Sequence, residues 1–165
     1  MAFQAISPKE IGENLIHLLD DRWALLTAGD RQEYNTMTVS WGGAGELWNR
    51  EVCFVFVRPK RYTYQFIEKY DGFSLAFFPE SEHSHLALCG SKSGREIDKA
   101  AQCGFTLAHE GDVPYFEQAE LVIVCKKIYK QDIDPKCFLD PTIEKNYNGD
   151  YHRMYVGQIE KVLKK

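Results

Sequence analysis

The sequence predicts a mainly β fold of the α+β class, a β-barrel with peripheral helices, forming one domain over residues 1–165. Three observations carry this expectation. Segments of β pattern outnumber helical ones. Between residues 22 and 58 they follow one another without the intervening helices that a doubly wound sheet requires. The length of 165 residues is enough to bury one sizeable core and too short for two ordinary ones, while 44% hydrophobic and 13% aromatic residues exclude a disordered chain.

The elements are expected in this order. Ser7-Pro8-Lys9-Glu10 opens a short amphipathic helix within residues 1–20: Ser7 suits the N-cap, Pro8 the first helical position, and Glu10 completes a capping box. Ile11, Leu15, Leu18 and Leu19 give it an apolar face. Trp23 to Thr27 and Tyr34 to Ser40 read as strands around a turn at Gly29-Asp30. Glu51 to Val57, dense in Val and Phe, reads as a strand buried on both faces and ended by Pro59. Tyr62 is followed at four-residue intervals by Phe66 and Tyr70, which predicts a helix. Gly72 to Phe78 is a strand stopped by Pro79, and helical pieces follow at Ser84–Leu88 and Arg95–Cys103. Phe105 to Ala108, Ala119 to Tyr129 and Tyr155 to Leu163 are further strands, with a polar, turn-rich segment at 131–152 between the last two.

A net charge of −4 provides no global positive field for nucleic acid, and the apolar run Val52–Val57 is far shorter than the ~20 residues that span a bilayer. With no basic stretch and apolar core at the N-terminus, a cytoplasmic protein is expected, without nucleic-acid or membrane partners. Five cysteines, an odd number with no Cys-x-x-Cys pair, read as reduced structural thiols, and no metal site is expected.

Three segments have the chemistry of a ligand site. Asn35-Thr36-Met37-Thr38-Val39-Ser40-Trp41 offers amide and hydroxyl groups suited to the carbonyl and imide edges of a heteroaromatic ring, with Trp41 and Gly42-Gly43 as a flat wall; a Thr/Ser-rich edge strand has the same composition. Arg58-Pro59-Lys60-Arg61-Tyr62-Thr63 places cations and a hydroxyl where a strand meets a helix N-terminus, which suits a phosphate or a solvated corner. Gly90-Ser91-Lys92-Ser93-Gly94-Arg95-Glu96 is a candidate anion cradle, with Ser93 and Glu96 at capping-box spacing. It does not match the P-loop pattern, and Gly42-Gly43-Ala44-Gly45 does not match the dinucleotide fingerprint. His83-Ser84-His85 suits a solvated helix start better than a metal. His152 is a candidate hydrogen-bonding partner for a ligand edge. No carboxylate pair, Ser/His/Asp set or Cys/His pair emerges, which disfavours a hydrolase.

Together with Phe73-Ser74-Leu75-Ala76-Phe77-Phe78-Pro79, Ser91-Lys92-Ser93-Gly94-Arg95-Glu96-x-Asp98-Lys99 and His152-Arg153-Met154-Tyr155-Val156-Gly157-Gln158-Ile159, these segments resemble the flavin reductase-like, FMN-binding split-barrel family, most closely its flavoredoxin-like branch. The resemblance runs from about Asp21 to Leu163. It implies a six-stranded Greek-key split barrel that forms a homodimer, with one FMN per subunit near the dimer interface. Asn35, Thr36, Met37, Thr38, Ser40 and Trp41 would line the ring and ribityl chain, and Arg58, Arg61, Tyr62 and Thr63 the phosphate side. Lys92, with Ser91 and Ser93, would approach the flavin or its phosphate, Arg95 and Lys99 being alternatives to Lys92, and His152 would face the ring. The implied function is an oxidoreductase passing hydride from NADH or NADPH to FMN and on to free flavin or another acceptor. The alternative is an FMN electron-transfer protein without NAD(P)H oxidation of its own, and a further one is the same barrel holding haem, pyridoxal phosphate or no cofactor. No protein side chain is expected to be catalytic, because FMN supplies the chemistry. Residues 131–152 would form a lid over the flavin or a dimer arm.

Overall fold

A computed structural model describes residues 1–165. Its strands are β1 (Gln4–Ile6), β2 (Ala24–Gly29), β3 (Tyr34–Val39), β4 (Gly42–Leu47), β5 (Arg50–Val57), β6 (Gly72–Phe77), β7 (Leu107–Glu110), β8 (Val113–Phe116), β9 (Leu121–Asp132) and β10 (Arg153–Lys164). The principal sheet is antiparallel in the order β3-β2-β6-β9-β10-β5-β4, with β1 added to the end of β10. Six of these strands, β3, β2, β6, β9, β10 and β5, make the expected split barrel. β3 and β4 at the two ends of the path are not joined by a ladder, which is the split.

Period-two alternation decides which side chains fill the barrel. Ala24, Leu26 and Ala28 of β2, Phe73, Leu75 and Phe77 of β6, and Leu121, Ile123 and Cys125 of β9 enter one core. Their neighbours Leu25, Ala76, Val122 and Val124 enter a second core on the outer face. That outer core is covered by helices α3 (His83–Ser91) and α4 (Lys99–Cys103) and by the β7–β8 hairpin, through Leu86, Cys89, Cys103, Phe105 and Phe116. Phe66 and Ile67 of helix α2 (Thr63–Lys69) join the inner core. All five cysteines are free; Cys53 and Cys125 pack in the inner core, Cys89 and Cys103 in the outer one, and Cys137 is exposed. No helix is long and apolar enough to cross a membrane.

The N-terminal helix is not one helix. The Ser7–Glu10 capping box forms, yet Pro8–Glu10 makes only a 3₁₀ turn, and Gly12 at φ +70° breaks the run. Asn14 recaps the chain through the N–H groups of Ile16 and His17, giving the single turn α1 (Leu15–His17) and a π-helical turn at Leu18–Arg22. The apolar face survives, with Ile11, Leu18 and Leu19 buried. The helix expected from Arg95 begins only at Lys99. Ser93 accepts the Arg95 N–H in a local turn, and Asp98 caps the helix by accepting from Ala101 N.

Three strands are not foreseen in the sequence: β1, which falls in the segment expected to be helical and pairs with the end of β10, β4 and β8. β4 is half glycine, and it pairs with β5 across the turn Trp48-Asn49, whose φ values are +56° and +57°. The β7–β8 hairpin turns at Gly111 (φ +59°), so the expected strand at Phe105 begins at Leu107 and gains a partner at Val113–Phe116. β5 is buried on both faces only in part: Cys53, Val55 and Val57 are buried on one face, whereas on the other Val52 is buried and Phe54 and Phe56 are half-buried. Between β9 and β10, residues 133–152 form a strap with 3₁₀ turns at Pro135–Cys137 and Pro141–Asn146.

Candidate functional site

The site is built on β3 and its exit. Thr36 and Thr38 point to the outer face. The Thr36 hydroxyl bonds that of Thr27 at 2.9 Å and donates to Leu26 O at 3.3 Å, while Thr38 donates to Leu86 O of α3. Asn35, buried, donates from Nδ2 to Thr63 Oγ1 at 2.7 Å, tying the start of β3 to the first turn of α2. Gly94 lies over this bond, where a Cβ would overlap Asn35 Oδ1 and stand 3.0 Å from the Tyr62 ring.

Two cavities flank the strand. One, of about 200 Å³, is lined by Met37, Thr38, Val39, Ser40, Trp41, Phe56, Arg58, Arg61 and His152. It thus gathers seven of the expected residues from three distant stretches of chain. The other, of about 470 Å³, adjoins Asn35, Thr36 and Tyr62 and is closed by Gly94, Arg95, Asp98 and Lys99. Ser91, Lys92 and Ser93 line neither: Ser91 and Lys92 are exposed, and the Ser93 hydroxyl is engaged by Arg95 N. A larger cavity of about 850 Å³, between the N-terminal segment and the β4–β5 hairpin, contains none of the expected residues.

Lys99 is buried. Its Nζ donates to Thr36 O and Cys89 O, each at 2.8 Å, and so joins β3 to α3. Burial, with the Arg61 charge second, pushes its pKa down to about 8. Arg61 is itself lowered by burial and then by Arg58, and has no carboxylate partner. Two desolvated cations without counter-charge lie beside β3, an arrangement that favours an anion. Arg95 lies over the Tyr62 ring at 4.5 Å.

Arg58 is differently placed. It meets Asp150 at 2.9 Å, donates to Asn146 O at 2.8 Å and covers the Tyr147 ring at 4.9 Å, while Lys60 joins Asp150 at 2.7 Å. These cations hold the Asp150 carboxyl well below the usual carboxylate range, Lys60 contributing most. His152 stands 5.1 Å from Trp41, ring to ring, and bonds Tyr147 Oη through Nδ1 at 2.9 Å. Burial, helped by Arg58, pushes its pKa down to about 4, so the imidazole is neutral at pH 7. Trp41 is 48% exposed and forms an open aromatic wall. Phe56, Tyr147 and Asp150 join the site without having been expected there, whereas Gly94 belongs to the expected anion-cradle segment. Nothing local marks Tyr147 or Asp150, whose partner Arg58 is some ninety residues away.

The chain is thus a split barrel with a cationic, aromatic-walled cleft beside one edge strand, and comparison with known proteins gives its family and fold. Residues 19–164 match the model of the flavin reductase like domain family. The chain belongs to that family. No curated protein matches the sequence. Among solved structures, flavoredoxin from Methanosarcina acetivorans is similar with a TM-score of 0.68 and 20% identity, over 87% of this chain and 68% of that one. An FMN-binding protein from Thermus thermophilus has a TM-score of 0.68 and 22% identity over 98% and 82% of the two chains. Flavoredoxin of Desulfovibrio vulgaris has 0.68 and 22% over 96% and 77%. At these identities the likeness establishes the fold.

Proposed function

We propose that this chain binds FMN and acts as an oxidoreductase using NADH or NADPH as donor. The observation that carries this reading is the uncompensated pair that flanks β3, Arg61 in the cleft walled by Trp41 and the neutral His152 and Lys99 in the adjoining cavity. The donor set suits the group: cations for a phosphate dianion, an indole for a flat ring, and neutral amide, hydroxyl and imidazole groups for its polar edges. Arg61 and Lys99 would hold the phosphate, with Arg95 at the rim; Asn35 and Ser40 would meet polar edges. Thr36 and Thr38, bonded to Thr27, Leu26 and Leu86, support the wall from behind. When bound, FMN supplies the redox chemistry, accepting hydride from the nicotinamide and passing electrons to free flavin or another acceptor.

What the chain's own residues do is position and exclude. Lys99 fixes the Thr36 carbonyl against α3 and so holds the strand that faces the cleft. Met37, Val39 and Phe56 supply an apolar floor. The chain works as a homodimer in this reading: Trp41 and Trp48 are 48% and 53% exposed, and Gly43 and Gly45 of β4 leave open space where side chains would stand, so a second copy has an apolar, flat surface to cover.

The test is an absorption spectrum of purified protein loaded with FMN, its mass measured by light scattering, followed by anaerobic addition of NADH or NADPH. A yellow dimer bleached by either nucleotide is the expected result. A yellow protein that stays oxidised makes it an electron carrier fed by another reductase, and a colourless one that takes up no FMN overturns the reading. A monomeric mass overturns the dimer alone.

A further inference from the structure

The strap at residues 133–152 ends at His152, which lines the cavity, and one bond within the strap bears on the chemistry of that cavity. Tyr147 Oη lies 2.9 Å from His152 Nδ1. The ring of Tyr147 is fixed independently of that bond, by Arg58 at 4.9 Å over its face, Tyr151 at 5.0 Å and Phe138 at 6.1 Å. His152 is nine-tenths buried and also packs on Trp41 and Phe56, yet its Nε2 has no partner within the chain. The two side chains are five residues apart, on either side of the turn at Gly149, and bracket Asp150, which pairs with Arg58.

We propose that Tyr147 is a positioning residue that donates its hydroxyl proton to Nδ1 of His152, holding the neutral imidazole in the tautomer protonated at Nε2, so that the cavity of Trp41 and Arg61 is offered a hydrogen-bond donor. Tyr147 must be the donor because a neutral imidazole nitrogen is a much better acceptor than a phenol oxygen, and which ring nitrogen bears hydrogen is set by the bond the other one makes. Burial keeps the phenol protonated and the imidazole neutral around pH 7. The ligand chemistry that suits an uncharged N–H donor between an indole and a phenyl ring is the carbonyl edge of a flat heterocycle. This last step rests on the cofactor reading above; the tautomer does not.

The experiment is long-range ¹H–¹⁵N spectroscopy of ¹⁵N-histidine protein without ligand at pH 7, with His152→Gln assigning the resonance. The wild type is expected to show a protonated Nε2 and an unprotonated Nδ1, and Tyr147→Phe, which keeps the ring contacts, to move the two nitrogen shifts toward each other as the tautomers mix. Protonation at Nδ1 in the wild type overturns the proposal without recourse to any variant, and so does an unaltered His152 pattern in folded Tyr147→Phe. Added FMN should shift the Nε2–H signal. FMN bound by absorption with that signal unmoved overturns the donor's placement, whereas failure to take up FMN overturns the cofactor reading and leaves the tautomer decided by the ligand-free spectra.

Discussion

Lys99 is 5% exposed, holds two backbone carbonyls and has no carboxylate near its Nζ, so its charge is stabilised by dipoles alone. A phosphate placed beside it and Arg61 completes the electrostatics. Lys99→Met retains the stem and removes the charge, and is expected to weaken FMN by roughly 10- to 100-fold, the size of one charge-assisted contact of about 1.5–3 kcal/mol. Riboflavin, lacking the phosphate, should lose much less. Calorimetric titration of both ligands makes the comparison; equal losses would assign Lys99 to the architecture of β3 and α3 alone. Single residues differ in how far the sequence announces them. Asn35, Trp41, Arg61 and His152 are legible because their chemistry is written in short local segments. The sequence favours Lys92 over Lys99, because spacing along a chain does not say which lysine a turn buries: the helix is capped at Asp98, and that start is what turns Lys99 inward. Arg58 reads as a free phosphate ligand only while its partner is unseen, and Asp150 lies in a segment with no pattern of its own.

Among the elements, β10 depends most on one residue. Its twelve residues pass between β5 and β9 with bulges at Val156/Gly157 and Ile159/Lys161. At Gly157 a Cβ would stand 2.5 Å from Phe73 Cζ and 2.7 Å from Cys125 Cβ, both in the barrel core. Gly157→Ala is expected to destabilise the protein by at least about 1–3 kcal/mol, the ordinary cost of overpacking, read as a lower urea midpoint with an unchanged slope. A midpoint equal to wild type would mean that Phe73 moves aside freely. Strands β2, β3, β5, β6, β9 and β10 are legible because alternation and β-branched or aromatic density are local signals. β4 is not, since Gly42, Gly43 and Gly45 carry no hydrophobic pattern and the strand exists through its partner β5. The N-terminal helix fails for a related reason: its apolar spacing is helical, but Gly12 adopts a left-handed conformation and divides the chain into separate turns around the same buried face.

For the whole molecule, two side-chain networks couple folding to acid in consecutive pH ranges. His152 has a folded pKa of about 4, below its ordinary 6.5, because burial and Arg58 oppose its charge. The unfolded chain therefore binds more protons between pH 6.5 and 4, and stability falls as pH falls through that range. Glu68 has a folded pKa of about 2, below its ordinary 4.5: burial opposes its charge, but the bonds from Lys130, Tyr155 and Arg153 together outweigh that opposition. Its contribution is complete above pH 4.5 and is lost as pH falls toward 2. Glu68 and Tyr155 tie α2 to β10 across the barrel, whereas His152 ties the strap to the cleft, so the two losses belong to different parts of the fold. Urea midpoints measured from pH 7 to pH 3 are expected to decline in both ranges. His152→Gln should flatten the decline between pH 6.5 and 4, and Glu68→Gln, at a cost in stability near neutral pH, should flatten the part below pH 4.5. If His152→Gln declines between pH 6.5 and 4 as steeply as wild type, the imidazole is not held neutral by the fold, and the donor it offers the cleft loses its physical basis.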